Sequence, residues 1–148
     1  MAKLASEDRE FISSFELSKA SEIEEKNGSW QKYRWKITHG QRVIETIDDN
    51  DGYLFCRHPQ DEVKQLLEDL SRLVEKEKSE VLFEPGEPSI NLSIKRQSFS
   101  DGLKVYIFID EGNASSGISR WDSIGVRFFT TEEELRRFIK DLKEEFNC

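Results

Sequence analysis

Two segments of the chain repeat apolar residues at intervals of three and four, which is the spacing of one face of an α-helix. In residues 61–76 this face consists of Val63, Leu66, Leu67, Leu70, Leu73 and Val74. Pro59 precedes the pattern and suits the first turn of a helix, where a backbone N–H is not needed. The pattern therefore predicts an amphipathic helix over residues 61–76.

The second helical pattern covers residues 131–146, where one face carries Leu135, Phe138, Ile139, Leu142 and Phe146. Thr130 and Glu133 have the spacing of a capping box, in which each side chain accepts a hydrogen bond from a free backbone N–H. Glu132 and Glu134 add negative charge at the positive end of the helix dipole. The sequence therefore predicts a second amphipathic helix, capped by Thr130.

Most of the remaining chain alternates apolar and polar residues, which is the pattern of strands with one buried face. The alternation predicts strands at residues 11–18, 30–38, 42–47, 53–56, 80–83, 89–96, 103–110 and 121–130. Tyr106 and Phe108 make the strand at 103–110 apolar on both faces. We therefore expect this strand to be central in its sheet or covered on both sides.

The order of these elements is strands, a helix, strands and a second helix. Such an order favours an α+β fold over a parallel α/β fold. A chain of 148 residues is also a common size for one domain with one hydrophobic core. The sequence therefore predicts a single α+β domain over residues 1–148, in which two amphipathic helices pack on an antiparallel β-sheet.

Acidic residues outnumber basic ones by 30 to 22, which gives a net charge of −8. A nucleic-acid binder usually carries a basic face, because neutralising phosphates drives its affinity. The composition therefore argues against a nucleic-acid partner. An acidic surface attracts a basic protein instead, although the same charge can also serve solubility alone.

Cys56 and Cys148 are the two cysteines of the chain, and their spacing fits no zinc or redox motif. Two free thiols are typical of a reducing compartment. Residues 1–11 are charged and lack the apolar stretch of a signal peptide, and no apolar run approaches the ~20 residues that span a membrane. We therefore expect a cytoplasmic protein without a membrane partner.

The acidic turn at residues 48–52, Asp-Asp-Asn-Asp-Gly, invites comparison with a calcium-binding loop. An EF-hand loop with Gly52 as its glycine would need ligands at Ile47 and His58, and neither fits. His39 and His58 belong to no catalytic or metal-binding motif, and no glycine-rich phosphate loop occurs. The sequence therefore predicts no catalytic residue, no metal and no cofactor, and a protein that is not an enzyme.

Aromatic residues are the more informative feature. Trp30, Tyr33 and Trp35 crowd one predicted strand, and Trp121 lies at the end of a loop rich in Gly, Ser and Asn. We predict that Trp35, Phe128 and Phe138 pack in the core. Trp30 and Trp121 could pack in the same way or anchor a protein interface, where an aromatic ring provides a large contact area at small entropic cost.

Two short segments resemble a known group of proteins. They are residues 84–88, Glu-Pro-Gly-Glu-Pro, and residues 121–129, Trp-Asp-Ser-Ile-Gly-Val-Arg-Phe-Phe, which lead into the acidic helix. Over about the last two-thirds of its length, the chain resembles small bacterial α+β proteins grouped with immunity proteins of wall-associated contact-dependent toxins. The resemblance implies a cytoplasmic protein that binds and neutralises a toxin domain. It carries over no catalytic residue, because none is established in that group.

These observations favour a non-enzymatic protein-binding domain, and the resemblance makes a basic toxin domain the candidate partner. Acidic side chains would steer the association and an aromatic residue would anchor it. The predicted contact residues are Trp121, Asp122, Glu84, Glu87, Asp49 and Asp51. Two alternatives stay open: an enzyme or small-molecule binder whose site is assembled from distant residues, and a structural subunit in which another copy covers the second apolar face of 103–110.

Overall fold

The computed structural model describes residues 1–8, 10–19, 30–45, 54–57, 59–85, 90–110 and 122–147, and for residues 30–32, 54–57 and 59–61 it describes the backbone. These residues form nine strands and two helices. In chain order they are β1 (Ala2–Ala5), β2 (Ser13–Lys19), β3 (Trp30–His39), β4 (Arg42–Glu45), β5 (Leu54–Arg57), α1 (Pro59–Val74), β6 (Glu80–Phe83), β7 (Ile90–Arg96), β8 (Leu103–Asp110), β9 (Ser123–Thr130) and α2 (Glu132–Phe146).

The strands form two antiparallel sheets, whereas the sequence predicts one. The N-terminal sheet has the order β1-β2-β3-β4, and β5 pairs with the first residues of β3. The C-terminal sheet has the order β6-β7-β8-β9. The alternation of apolar and polar residues identifies strands, but it does not show which strands pair with each other. Strands that follow one another in sequence tend to pair, so the two runs of strands on either side of α1 each close into their own sheet. The α+β class and the two amphipathic helices are confirmed.

The first strand, β1, lies in a segment for which the sequence predicts no element. It pairs with β2, and Leu4 lies opposite Phe15. Ala2 and Leu4 are fully buried, because α2 packs on this strand. The charged residues of the N-terminal segment led to no element being predicted there, and the apolar Ala2 and Leu4 are the part of its sequence that β1 buries.

The start of α2 differs from the prediction by one residue. Thr131 is the N-cap, and its hydroxyl accepts a hydrogen bond from the N–H of Glu134 at 3.2 Å. Thr130 instead ends β9, where its buried hydroxyl donates to the carbonyl oxygen of Ala5 at 2.6 Å. Thr131 and Glu134 repeat the capping-box spacing one residue further along, so the motif alone could not decide between the two threonines.

The hydrophobic core includes side chains from both sheets and both helices. Trp35, Phe128 and Phe138 are buried, as predicted. The helix α2 contacts β1, β2 and α1, and α1 also contacts β5 and β6. Aromatic pairs join α2 to the N-terminal sheet: Phe138 meets Phe15 with ring centroids 6.4 Å apart, at an angle typical of edge-to-face packing. The helices therefore occupy the apolar faces that the sequence assigns to the core.

Contacts near the end of β9 join the two sheets. The N–H of Glu7, just after β1, donates to the carbonyl oxygen of Phe129 at 3.0 Å. Arg96 at the end of β7 joins both helices, because it donates to Glu132 Oε1 and to the carbonyl oxygen of Leu73, each at 2.6 Å. The Glu7 bond therefore ties the end of β9 to the segment that follows β1, and the Arg96 bonds tie β7 to both helices. Neither helix in the described part of the chain is long and apolar enough to cross a membrane.

Candidate functional site

A groove of about 640 Å³ lies between the two sheets, and we call it the inter-sheet groove. The N-terminal sheet lines it with Ile37, His39, Arg42 and Ile44 of the β3–β4 hairpin. The C-terminal sheet lines it with Tyr106 and Phe108 of β8 and with residues 124–127 of β9. Its volume lies in the range of about 300–1,000 Å³ that is typical of ligand-binding clefts.

The β3–β4 hairpin presents four side chains on one face. Ile37 pairs with Ile44 and His39 pairs with Arg42, and side chains two residues apart on a strand point to the same side. Gly40 makes the turn with a left-handed φ of 59°, which glycine adopts without steric cost. This wall is therefore apolar toward the core and cationic toward the turn.

His39 is held in place by two neighbours. The ring of Phe11 meets it edge-on at a centroid distance of 4.8 Å, and Ser13 Oγ is hydrogen-bonded to His39 Nδ1 at 2.8 Å. A Ser–His pair can form part of a nucleophilic site. Ser13, however, is buried and outside the groove lining, so this contact orients the imidazole and does not offer a nucleophile to a ligand in the groove.

On the opposite wall, the ring of Phe108 lies across Gly125 of the neighbouring strand. The two residues are directly paired. A Cβ atom at position 125 would overlap Phe108 Cδ1 and would lie 2.9 Å from the carbonyl oxygen of Ile107. The absence of a side chain at 125 therefore lets the ring lie against β9, while 43% of Phe108 remains exposed.

Phe108 belongs to a larger exposed surface on the outer face of the C-terminal sheet. We call it the aromatic–cationic face, and it comprises Lys104, Tyr106, Phe108, Arg127 and Phe129. Lys104 Nζ lies 5.2 Å from the ring centroid of Tyr106 and 6.0 Å from that of Phe129. Arg127 is directly paired with Tyr106. The positive charges lie over and beside aromatic rings, which is the geometry of cation–π attraction.

The electrostatics of this face appear in Tyr106. A hydrogen bond with the Lys104 side chain lowers the pKa of its phenol, against a smaller opposing effect of burial, and the positive charges of Lys104 and Arg127 lower it further. The hydrogen bond and the neighbouring positive charges both favour the phenolate, because they stabilise the anionic form. A carboxylate brought to the same place would be stabilised for the same reason.

The inter-sheet groove is cationic in an acidic protein. Among the described residues that line it, Arg42 and Arg127 carry positive charge and none is Asp or Glu. The whole chain carries a net charge of −8. Arginine side chains offer planar donors that match carboxylates, so the groove is suited to an anionic group flanked by apolar or aromatic ones.

The described residues offer this site more capacity for binding than for bond breaking. No group of three His, Cys, Asp or Glu side chains within them is placed to hold a metal ion. The groove provides aromatic rings, two guanidinium groups and one imidazole. Aromatic rings and guanidinium groups are suited to recognition by shape and charge.

The residues predicted from sequence are only partly placed. Asp122 is exposed and lies immediately before β9, two residues before Ile124 of the groove lining, and Glu84 is exposed immediately after β6. These strands are the two edges of the C-terminal sheet, about 14 Å apart at ~4.8 Å per strand, so Asp122 and Glu84 do not form one cluster. Trp121, Glu87, Asp49 and Asp51 lie outside the described residues, as do the acidic turn at 48–52 and His58.

Sequence reasoning missed the residues that line the groove. Tyr106 and Phe108 were noted as a second apolar face of β8, and β8 is central in its sheet, as expected. Their face is nevertheless partly open to solvent. The available signal was the pairing of these aromatics with Lys104 and Arg127 at alternate positions, because a buried face rarely carries such charges.

The fold defines an α+β protein with an exposed groove between its two sheets. The family to which this protein belongs is shown by its sequence: the model of the family described as Immunity protein WapI-like family matches residues 26–147. The match covers most of the chain, so the chain belongs to that family, and the predicted resemblance to immunity proteins is confirmed. No curated protein and no solved structure matches the chain.

Proposed function

We propose that this protein neutralises a bacterial toxin domain by binding it, and that the inter-sheet groove together with the aromatic–cationic face forms the contact surface. Membership of an immunity protein family supports the toxin-binding role. The observation that supports this location is the exposed ring of Phe108, which lies against Gly125 with Arg127 at the adjoining position of the same face. Aromatic and arginine side chains provide a large share of the binding energy at protein interfaces.

The ring of Phe108 already packs on the backbone of Gly125 in the free protein. Its packing on Gly125 limits the rotamers that it can adopt in the free protein. Ordering a side chain on binding costs about 0.5–1.5 kcal/mol, and a ring that is already ordered avoids most of this cost. Phe129 is similarly exposed, at 42%, and lies on the same face. Burial of both rings would give the surface an apolar centre with a charged rim.

Charge acts differently at long and short range. The net charge of −8 would attract a basic toxin domain from a distance, as predicted from the sequence. At contact distance, Arg42 and Arg127 favour a carboxylate. We propose a partner that is basic overall and that places an acidic segment in the groove.

The predicted contact residues enter this proposal in two ways. Asp122 borders β9, so we propose that it and the preceding Trp121 extend the surface beside the groove. Glu84 lies at the other edge of the same sheet. We assign Glu84, Glu87, Asp49 and Asp51 to the attraction of a basic partner, where no direct contact is needed.

The proposed action is non-enzymatic and takes place in the cytoplasm. A groove lined with groups that recognise shape and charge supports a binding role. The presence of only two cysteines supports a reducing compartment. Fractionation of cells that express the protein from its own gene, followed by immunodetection, should find it in the cytoplasmic fraction.

A toxin domain encoded by the adjacent gene would provide the direct test, because we propose that the protein neutralises such a domain. We expect the wild-type protein to protect growth when that domain is expressed and to bind it in calorimetry. Phe108→Ala combined with Arg127→Glu should weaken binding by roughly 100-fold or more and abolish protection. Arg136→Glu on the exposed side of α2 and Phe99→Ala, whose ring is 97% exposed, are matched controls that should bind normally.

The controls decide between location and general damage. Equal losses for the groove variant and the controls would remove the groove from the proposal. A wild-type protein that neither binds nor protects against the adjacent toxin would overturn the proposed function itself.

The size of the groove supports a second candidate function, the binding of a small aromatic anion. A cleft of about 640 Å³ lined by rings and arginines could hold such a molecule. An NMR titration with a panel of aromatic carboxylates, which follows the amide resonances of Gly125 and Arg127, tests this candidate. An absence of shifts at millimolar ligand would reject it.

A further inference from the structure

The strand β9 is an edge strand with an open side. It pairs with β8, and within the described part of the chain no strand pairs along its other edge. Edge strands present a row of backbone N–H and C=O groups that can template another strand. Its sequence contains no proline, which would otherwise interrupt such pairing.

The direction of the free backbone groups follows from one hydrogen bond. The carbonyl oxygen of Phe129 accepts the N–H of Glu7, so Phe129 directs its backbone away from β8. Residues two apart on a strand direct their N–H and C=O groups to the same side. The backbone groups of Ser123, Gly125 and Arg127 therefore point outward as well. At Phe129, the last outward position, Glu7 already makes the kind of backbone hydrogen bond that a neighbouring strand would make.

The inter-sheet groove runs along this open side. Four consecutive residues of β9, 124–127, line it. Since successive side chains point to opposite faces of a sheet, a cavity touched by all four must pass along the edge of the strand. Space for another backbone therefore exists beside Gly125 and Arg127.

We propose, building on the function proposed above, that an extended acidic segment of the toxin domain adds to the C-terminal sheet as a strand beside β9. Its backbone pairs with the outward groups of Gly125 and Arg127. Its carboxylates reach Arg42 and the Arg127 side chain, and one apolar residue covers the Phe108 ring. This mode of recognition takes affinity from backbone hydrogen bonds and specificity from alternate side chains.

Charge identifies this occupant over a second copy of the chain. In the described part of the chain, the groove lining contains two arginines and no carboxylate, so this part of the lining complements an anionic strand. A second copy would bring another Arg127 and another net charge of −8 to the same edge. Like charges placed together at an interface cost several kcal/mol.

Amide exchange gives a direct readout of strand addition. In the free ¹⁵N-labelled protein, the N–H groups of Ile124, Val126 and Phe128, which point toward β8, should exchange slowly. Those of Gly125 and Arg127 should exchange fast. After addition of the unlabelled toxin domain encoded by the adjacent gene, the two outward amides should slow by roughly tenfold or more, while the inward set changes little.

A pair of variants isolates the backbone contribution. Arg127→Gln removes the charge, and Arg127→Pro removes the charge and the outward N–H, which an edge strand tolerates. We expect Arg127→Pro to bind the toxin domain about tenfold more weakly than Arg127→Gln, as the loss of one interfacial hydrogen bond predicts. The amide spectrum of each variant shows whether its sheet remains intact, and the exchange measurement on the wild type stands if Arg127→Pro does not fold.

The outcomes separate the strand addition from the proposed function. A tight complex in which the outward amides still exchange fast, or equal affinities for the two folded variants, overturns strand addition and leaves toxin binding in place. An absence of any complex overturns both. Outward amides that are already protected in a free protein of dimeric mass would assign the edge to a second copy and overturn the acidic segment.

Discussion

The inner and outer faces of the C-terminal sheet are built by the same strands and have opposite environments. On β8, the inner residues Val105 and Ile107 are fully buried, whereas the outer Phe108 remains 43% exposed. Both faces carry apolar side chains. They differ in their charged neighbours, because the outer face includes Lys104 and Arg127 and the inner face packs into the core.

The comparison shows that apolar residues alone do not mark a core. A face that mixes aromatic rings with cations can remain at the surface, since the charges keep their hydration while the rings stay available to a partner. On the inner face of this sheet, a charged side chain occurs where other residues of the protein accept its hydrogen bonds. Arg96, which alternates with the inner residues of β7, is held by Glu132 and the Leu73 carbonyl.

The largest expected difference in stability is between alanine substitutions at two neighbouring positions of β8, one on each face of the sheet. Ile107→Ala removes side-chain volume from a site with 0% exposure and should lower the free energy of unfolding by about 3 kcal/mol. Phe108→Ala should cost only about 1 kcal/mol, because much of its ring is already in water. Chemical denaturation measures both. Equal losses would mean that the outer face is as important to the core as the inner one.

A second test of the difference between the two faces concerns the close contact of Phe108 with β9. Gly125→Ala would place a Cβ atom against the Phe108 ring and 2.9 Å from the Ile107 carbonyl oxygen. We expect a loss of about 1–3 kcal/mol in the free energy of unfolding, as for other overpacked sites. Adding Phe108→Ala should recover part of this loss, because the ring is removed and the backbone contact remains.

Ser123→Ala, on the same strand and exposed, is the control for this pair and should change stability by less than about 0.5 kcal/mol. Full recovery in the double variant would show that the ring alone excludes a side chain at 125. No loss in Gly125→Ala would contradict the packing of the ring on β9.

Helical periodicity predicted both helices, and runs of strand-forming residues predicted eight of the strands, most clearly where apolar and polar residues alternate as in β7 and β8. The division into two sheets was not predictable in this way, since the pattern of Phe15 or Val105 is the same whichever strand lies beside it. The helix cap was missed by one residue because Thr130 and Thr131 offer the same motif. Local patterns thus specify elements well and neighbours poorly.

The candidate site was harder to predict than the fold. His39 and Arg42 come from one hairpin, whereas Tyr106 and Arg127 come from another sheet, and only tertiary packing brings them together. Asp122, which was singled out from sequence, immediately precedes β9, and its role as a contact residue stays a prediction. Its neighbours in space were not accessible, because residues some 80 positions apart show no common pattern.

The ion pair of Arg96 with Glu132 sharpens the contrast between an inner cation paired with a carboxylate and outer cations that lie against aromatic side chains. A hydrogen bond from Arg96 lowers the pKa of Glu132, against a smaller opposing effect of burial, and the Arg96 charge adds to the lowering. Because the folded-state pKa is depressed, the pair contributes stability above the ordinary glutamate pKa and loses it as the pH falls through the lowered value. Glu132→Gln should therefore cost about 1 kcal/mol near pH 7, after screening by solvent is allowed for.

The lowered pKa of Glu132 also predicts how the stability difference between wild type and Glu132→Gln changes with pH. The gap in unfolding free energy between wild type and Glu132→Gln should narrow as Glu132 of the wild type becomes protonated. Denaturation curves from neutral pH into the acid range measure it. A gap that is constant with pH would show that the carboxylate charge does not act through Arg96.

The smallest expected effect is on the outer face itself, in the titration of Tyr106. The hydrogen bond with Lys104 and the neighbouring positive charges hold the pKa of its phenol below the ordinary tyrosine value. Lys104→Met should therefore raise this pKa toward about 10, and Arg127→Gln should raise it less, because the contribution of Arg127 is smaller. NMR titration of Cζ-labelled tyrosine measures it, with Tyr106→Phe to assign the resonance and Lys140→Met as a control outside this face. An unchanged pKa in Lys104→Met would mean that the cation does not interact with the ring, and the outer face would then lose the charge–aromatic coupling that distinguishes it from the core.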